Sequence, residues 1–257
     1  MRIIDVHTHP IFLGQGRKES EIRRLVAHGR SHGVERMVAL GDVLNYGARP
    51  DEAQLVAINN ETGHLQQLHP DYFIGFCYLN PLLGETAVRR EVERCVTQFG
   101  SKGIKLEIAN NASAACMGAV MKAAREFGLV VLQHTWSSTN FPASMKDHSD
   151  PDDTAQLARR HPDVNIIMAH LVGVGFRGVL AAKGLPNLFV DTSGAFPEDG
   201  LVAYAVEHLG EDRVLYGTDL PIRESSVKIG AVLDAKISAR AKQKIFFDNT
   251  ARLLNLT

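Results

Sequence analysis

The chain is short of cysteine, of tryptophan and of any imbalance of charge. Its 257 residues include 3 cysteines and 1 tryptophan. Three cysteines cannot build a disulfide framework, and an odd count fits a reducing compartment. Lys and Arg total 28 against 29 Asp and Glu, a formal net charge of −1. Proteins that bind nucleic acid or a membrane surface normally carry a basic excess for the phosphates, so neither partner is expected. No uncharged apolar stretch reaches the roughly 18 residues of a membrane span. Met1 runs directly into Arg2-Ile3-Ile4-Asp5, which reads as a strand and not as a cleavable leader. The expectation is a cytoplasmic protein. Hydrophobic residues at 45% and charged residues at 22% exclude intrinsic disorder. The unusual abundance is histidine, with 11 residues.

Eight short apolar runs recur along the chain: Arg2–His7, Val34–Leu40, Tyr72–Leu79, Gly103–Glu107, Leu129–His134, Val164–His170, Asn187–Asp191 and Arg213–Gly217. Several are apolar on both faces, as strands are in a parallel sheet covered by helices. Helical stretches fall between them. Ser20–His32, Ser113–Phe127 and Glu198–Leu209 carry apolar stripes, and Glu85–Phe99 places Val88, Val92, Cys95, Val96 and Phe99 along one face. Asp150-Pro151 has the cap and first-turn proline for a helix over Asp152–His161. Gly33, Gly100, Gly128 and Gly210 follow helical stretches, where a terminating glycine belongs. Alternation of this kind in about 250 residues predicts a single α/β domain over residues 1–257, a (β/α)8 TIM barrel. A doubly wound open sheet is the second choice, and no glycine-rich phosphate loop follows the first run to favour it. The longest irregular stretch, Trp136–Asp150, contains Ser137-Ser138-Thr139-Asn140 and reads as a lid or binding loop.

Barrel enzymes carry their chemistry at the C-terminal ends of the strands. Here those ends bear His7 and His9, Lys105 and Glu107, His134, His170, Asp191 and Asp219. Residues two apart on a strand share a face, so His7 and His9 project together into the barrel mouth. Two imidazoles side by side suit one divalent ion. His134 and His170 each close an apolar run; either alone could be a core histidine bonded to a carbonyl, but two at strand ends point to a site. Asp219 is a metal ligand, a proton acceptor or both, against the plainer reading of a turn aspartate. Gly217 lets the backbone there pass close to a neighbour.

Lys105 and Glu107 should both face the interior, with Ile104 and Leu106 facing the helices. A charge inside a barrel is costly unless paired or bound to metal. Three readings stand open: an ion pair between the two, Glu107 as a ligand, or a carboxylated Lys105. His28, His32, His64, His69, His161 and His208 read as surface or helix-end residues, and His148 lies in the long loop within reach of the site.

As a set, His7-Thr8-His9-Pro10, His134, His170 and Gly217-Thr218-Asp219-Leu220-Pro221 resemble the amidohydrolase superfamily. The closer likeness is to its amidohydrolase-related (family 2) branch, which holds both hydrolases and metal-dependent decarboxylases. Ile245-Phe246-Phe247-Asp248-Asn249-Thr250-Ala251-Arg252-Leu253-Leu254 is similar to that branch's terminal helix, so the resemblance spans the chain. It implies His7, His9, His134 and Asp219 as metal ligands, with His170 on a second metal or on the substrate. The fourth strand departs from one pattern: decarboxylase-like members with one metal generally lack a ligand there, whereas two-metal hydrolases supply a lysine or glutamate.

The preferred expectation is a metal-dependent hydrolase of a small-molecule lactone, amide or ester. It uses metal-activated water, with Asp219 as acid and base and the metal or His170 polarising the carbonyl. The alternative is a metal-dependent, non-oxidative decarboxylase of a small aromatic or unsaturated carboxylic acid on the same residues. A third reading is a barrel that binds a ligand without turnover. The candidate ligands are His7, His9, Glu107, His134, His170 and Asp219. The expected ion is divalent, zinc before manganese, with one or two bound. Arg177 and Arg223, with Arg49 beside them, are candidates for a substrate carboxylate, and Trp136 for stacking on a ring. A homo-oligomer is compatible with these features.

Overall fold

A computed structural model describes residues 1–10, 18–41, 46–47, 49–107, 110–137, 147–195 and 197–256. Within it the apolar runs become eight strands: β1 Ile3–Thr8, β2 Val34–Ala39, β3 Phe73–Tyr78, β4 Gly103–Leu106, β5 Val130–Gln133, β6 Ile166–Met168, β7 Leu188–Asp191 and β8 Val214–Leu215. They pair in parallel in sequence order. The first and last meet as well. Val6 N donates to Tyr216 O at 2.9 Å, Asp219 N to His7 O at 2.8 Å and His9 N to Leu220 O at 2.7 Å. These bonds join the two edges of the sheet, and the architecture is the expected (β/α)8 barrel.

Ten α-helices accompany the strands among the described residues: α1 Glu19–Ser31, α2 Glu52–Leu68, α3 Glu85–Phe99, α4 Met117–Phe127, α5 Pro151–Arg160, α6 Leu171–Ala182, α7 Leu201–Leu209, α8 Ser225–Asp234, α9 Ala239–Gln243 and α10 Asn249–Leu253. Asp150 caps α5 through Asp152 N, with Pro151 at the first turn. Gly100 and Gly128 close α3 and α4 in the left-handed region, at φ 68° and 63°. Two helix starts differ from expectation by more than one residue. Helix α4 starts at Met117 and not at Ser113, because Asn111 Oδ1 takes both the Ser113 N–H (2.8 Å) and its hydroxyl (2.6 Å) into a turn. Helix α7 starts at Leu201 and not at Glu198, behind Gly200 at φ 74°.

Two layers of apolar packing result. One lies between strands and helices and holds Ile104 and Leu106. The other fills the barrel with Ile4, Val6, Phe76, Leu132, Ile167 and their neighbours, joined by Leu254 from the C-terminal segment. This inner plug is the floor on which the polar mouth rests. Gly103 belongs to it by having no side chain: a Cβ there would lie 2.5 Å from the Phe76 ring. The expected outcome for Gly103→Ala is a loss of about 1–3 kcal/mol in stability, read from the urea midpoint, because the whole ring must shift. An unchanged midpoint would show that the plug is looser than this packing implies.

Candidate metal centre

Strand β1 delivers its histidines by a device that simple alternation misses. Asp5 pairs with Met37 and Thr8 with Ala39, so three steps on β1 match two on β2. That is a β-bulge. Ile4 and Val6 point into the inner plug, and strict alternation from them would turn His7 towards the helices. The extra residue re-aims His7, and His9 after it, into the mouth. Both are buried, at 0% and 6% exposure.

The opposite edge of the seam supplies the acid. Asp219 sits in the left-handed region at φ 70°, as His170 does at φ 68°. Such backbone is costly for residues with side chains and persists where surrounding contacts over-determine it. Gly217 permits the approach of strands here: a Cβ would lie 3.0 Å from that of His7 and 3.2 Å from that of Asp191. Beneath them Asp5 takes the Thr218 N–H at 3.0 Å, the Thr218 hydroxyl at 2.6 Å and the His7 N–H at 3.2 Å. Burial, against these hydrogen bonds, pushes the Asp5 carboxyl up to about 7.

Among the described residues, one group of ligand-type side chains converges closely enough for an ion: His7, His9 and Asp219, with ligand atoms all within 4.8 Å of one another. Nε2 of His7 and Nε2 of His9 each lie 3.5 Å from Asp219 Oδ1. Atoms about 2.0–2.1 Å from a tetrahedral ion sit about 3.3 Å apart, so this spacing and donor set fit a divalent cation. His170 Nε2 lies 3.9 Å from the other oxygen, Asp219 Oδ2. The ring of His170 is 4.9 Å from that of His7 and 4.6 Å from that of His134.

The protonation states suit metal binding. Burial first, then the Lys105 charge, lowers His7, while burial and its neighbour His170 hold His134 well below the ordinary range. Burial takes His170 down to about 4 despite Asp219. These imidazoles are neutral at pH 7, the form that offers a lone pair. Burial acts to raise Asp219, but its bond to His9 and the nearby His7 and His170 outweigh that and hold it well below the carboxylate range.

Lys105 and Glu107 both face the interior, as expected. The ammonium is fully buried; it lies 3.2 Å from Glu107 Oε1 and 3.4 Å from His7 Nε2. Burial acts to raise Glu107, but Lys105, His9 and His7 together outweigh it and keep that carboxyl low. Glu107 Oε2 is also 3.7 Å from His134 Nδ1. Of the six candidate ligands, then, three form the compact cluster, and Glu107, His134 and His170 border it.

The substrate candidates divide. Trp136 packs against His170, ring centroids 5.4 Å apart. It fits there because Gly173 has no side chain; a Cβ would fall 2.7 Å from the indole. Val172, Gly173 and Gly175 interrupt the helical backbone of α6, a break legible in the sequence only as Gly-Val-Gly. Arg223 donates its backbone N–H to Asp219 O at 3.2 Å. Arg177 is instead held by both oxygens of Asp150 and by Asp152, each at 2.6 Å. Its charge is spent at the α5 terminus. Arg49 pairs with Asp147. His148 lies 6.1 Å from His134, ring to ring. Ser138, Thr139 and Asn140, expected in a lid, fall outside the described residues. Two residues that sequence reasoning gave no role are Asp191 and Ser193, both fully buried against His7. Asp191 stood out as a strand-end acid; nothing marked Ser193.

The amidohydrolase family model, Amidohydro_2, matches residues 4–256. The chain belongs to the amidohydrolase family. No curated protein matches it. Among solved structures, 2,6-dihydroxybenzoate decarboxylase from Rhizobium superposes with a TM-score of 0.78 at 18% identity, covering 100% of this chain and 99% of that one. A 5-carboxyvanillate decarboxylase from Sphingomonas paucimobilis gives 0.75 at 16%, covering 100% and 99%. A dihydroxybenzoic acid decarboxylase from Polaromonas, with bound manganese, gives 0.74 at 16%, covering 99% and 97%. At such identities the likeness is one of fold. No helix among the described residues is long and apolar enough to cross a membrane.

Two outcomes follow from this electrostatic arrangement. His170 protonates at about 4 when folded and near 6.5 when unfolded, so the unfolded chain binds the extra proton between those values. His170 therefore contributes a fall in stability of the metal-free protein as pH drops from about 6.5 to 4, which Asp5, raised to about 7, opposes. His170→Gln should flatten that slope in urea titrations, and an unaltered slope would contradict the buried neutral state. Glu107→Gln should leave the metal count by elemental analysis unchanged. It should destabilise the protein by about 3–5 kcal/mol, since Lys105 is then left as a buried unpaired charge. Loss of metal without loss of stability would make Glu107 a ligand.

Proposed function

We propose that the protein is a metal-dependent, non-oxidative decarboxylase of a small aromatic carboxylic acid bearing a hydroxyl next to the carboxylate. The observation that carries this reading is the buried ammonium of Lys105, 3.4 Å from His7 Nε2. Hydrolysis of a neutral lactone or amide develops negative charge only along the reaction. An anionic substrate meets the fixed cation from the moment it binds. When a ligand-binding role engages His7 Nε2, the N–H that Lys105 directs at it is released towards an incoming oxygen. The fold likeness to three decarboxylases is consistent with the same reading.

A divalent ion held by His7, His9 and Asp219 would supply positive charge to the substrate carboxylate and the adjoining oxygen. The remaining work falls to side chains. Asp219 divides its two oxygens: Oδ1 faces His7 and His9, and Oδ2 faces His170 at 3.9 Å. The carboxylate takes the proton of the substrate hydroxyl through Oδ2. It returns that proton to the ring carbon bearing the carboxylate. The carbon–carbon bond then breaks, carbon dioxide departs, and the bonding pair restores the aromatic ring as a phenolate. His170, neutral and with Nδ1 facing Thr135 O at 3.3 Å, turns a bare Nε2 towards Oδ2 and accepts from Asp219 when that carboxyl holds the proton. Trp136 walls the ring. This reading displaces the hydrolase preferred from sequence, which calls on the same acid.

The test is a panel of ortho-hydroxy aromatic acids, lactones and amides offered to manganese- or zinc-loaded protein. Carbon dioxide release from the acids is expected, with a drop of at least about 10²-fold in kcat for Asp219→Asn. Lys105→Met should mainly raise KM for the acids. Incorporation of solvent oxygen into product, with no carbon dioxide, would restore the hydrolase.

A further inference from the structure

His7 can hold an ion only through Nε2, and only if its proton resides on Nδ1. The surroundings of Nδ1 decide that. Asp191 Oδ2 lies 2.9 Å from it and Ser193 Oγ 3.1 Å from it. Ser193 has a single hydroxyl proton, and it is directed at Asp191 Oδ1. The same oxygen takes the Ser193 N–H at 2.9 Å and the His170 N–H at 3.2 Å. A carboxylate into which so many donors point is an acceptor on every side. Both atoms facing Nδ1 are thus acceptors, and the ring must donate. At the opposite edge Lys105, a donor with no acceptor capacity, approaches Nε2 at 3.4 Å, beside Asp219 Oδ1 at 3.5 Å, so the Nδ1 side decides.

We infer that Asp191, with Ser193, is a positioning residue that locks His7 as the Nδ1–H tautomer and so keeps its Nε2 lone pair open to a metal ion. The inference rests on the metal-site reading given above and adds to it the residue that makes the ligand competent. It also links two histidines: the carboxylate that orients His7 ties down the strained backbone of His170 through its N–H. A histidine ligand whose second nitrogen is bonded to a carboxylate is oriented and more basic, and losing that partner typically costs about 10–100-fold in metal affinity.

Substitution by asparagine gives a sharp outcome, because the neighbours choose how the amide sits. Three donors converge where Oδ1 was, so the amide oxygen belongs there. The NH2 group then faces Nδ1 and forces it to accept. The proton moves to Nε2, where it blocks the ion and meets Lys105. In Asp191→Asn, nitrogen-15 NMR of the metal-free protein should show His7 switched from the Nδ1–H to the Nε2–H form. Manganese affinity, measured by competition with a chelator, should fall about 10–100-fold. A purely structural role would lower the melting temperature without moving the tautomer. Normal affinity in Asp191→Asn, or lost affinity with the tautomer unchanged, overturns the inference. Should that variant not fold, the wild-type spectrum decides alone: a proton on His7 Nε2 overturns it, and a proton on Nδ1 upholds it. Wild-type protein that shows the Nδ1–H form yet binds no manganese leaves the tautomer lock standing and removes the metal-site reading.

Discussion

The seam between β1 and the segment after β8 is the constraint on which the site depends. Two chain segments more than two hundred residues apart in sequence are zipped by backbone bonds from Val6 to Tyr216, Asp219 to His7 and His9 to Leu220. Asp5 adds a buried carboxylate that gathers Thr218 and His7 from the two sides. Closure of the barrel and assembly of the ligand cluster are therefore one event. His7, His9 and Asp219 meet because the sheet has no other way to satisfy those edge groups. The left-handed backbone at Asp219 and His170 is the local cost, and the dense bonding around it is what keeps it in place.

Electrostatics then sorts the groups at the mouth. Water is largely excluded, so imidazoles shed their protons while Asp219, Asp191 and Glu107 stay charged beside cations and donors. The site has lone pairs ready for a cation and one fixed ammonium ready for an anion. This pairing of a cation-binding cluster with a built-in positive group suits a substrate that brings negative charge of its own. Lys105 is tolerated in a barrel core because Glu107 Oε1, just past the end of β4, lies 3.2 Å from its ammonium, which has three donors and so keeps others for an anion.

Much of this was legible in the sequence, and the exceptions are instructive. The eight runs and their strand-end polar residues give the barrel and most of the site, because period and punctuation are local properties. His7 and His9 were placed correctly, though by an alternation argument that the β-bulge replaces; an unpaired extra residue leaves no trace in composition. Lys105 and Glu107 obey alternation because β4 is regular. Arg177 misled because a helix-borne cation near the mouth looks available until Asp150 and Asp152 are seen to hold it. Ser193 was invisible because its role is made by Asp191 and His7, residues brought to it only by folding. The break at Gly173, which admits Trp136 beside His170, depends on the same kind of distant contact.

The central claim is that one divalent ion is shared by two histidines of the first strand and the acid beyond the last. Anomalous diffraction at the zinc edge, from crystals grown with zinc, tests it most directly. The account predicts a peak about 2.0–2.2 Å from Nε2 of His7, Nε2 of His9 and Oδ1 of Asp219. A fully occupied peak elsewhere on the molecule, with these three side chains arranged as described and no density between them, would contradict it.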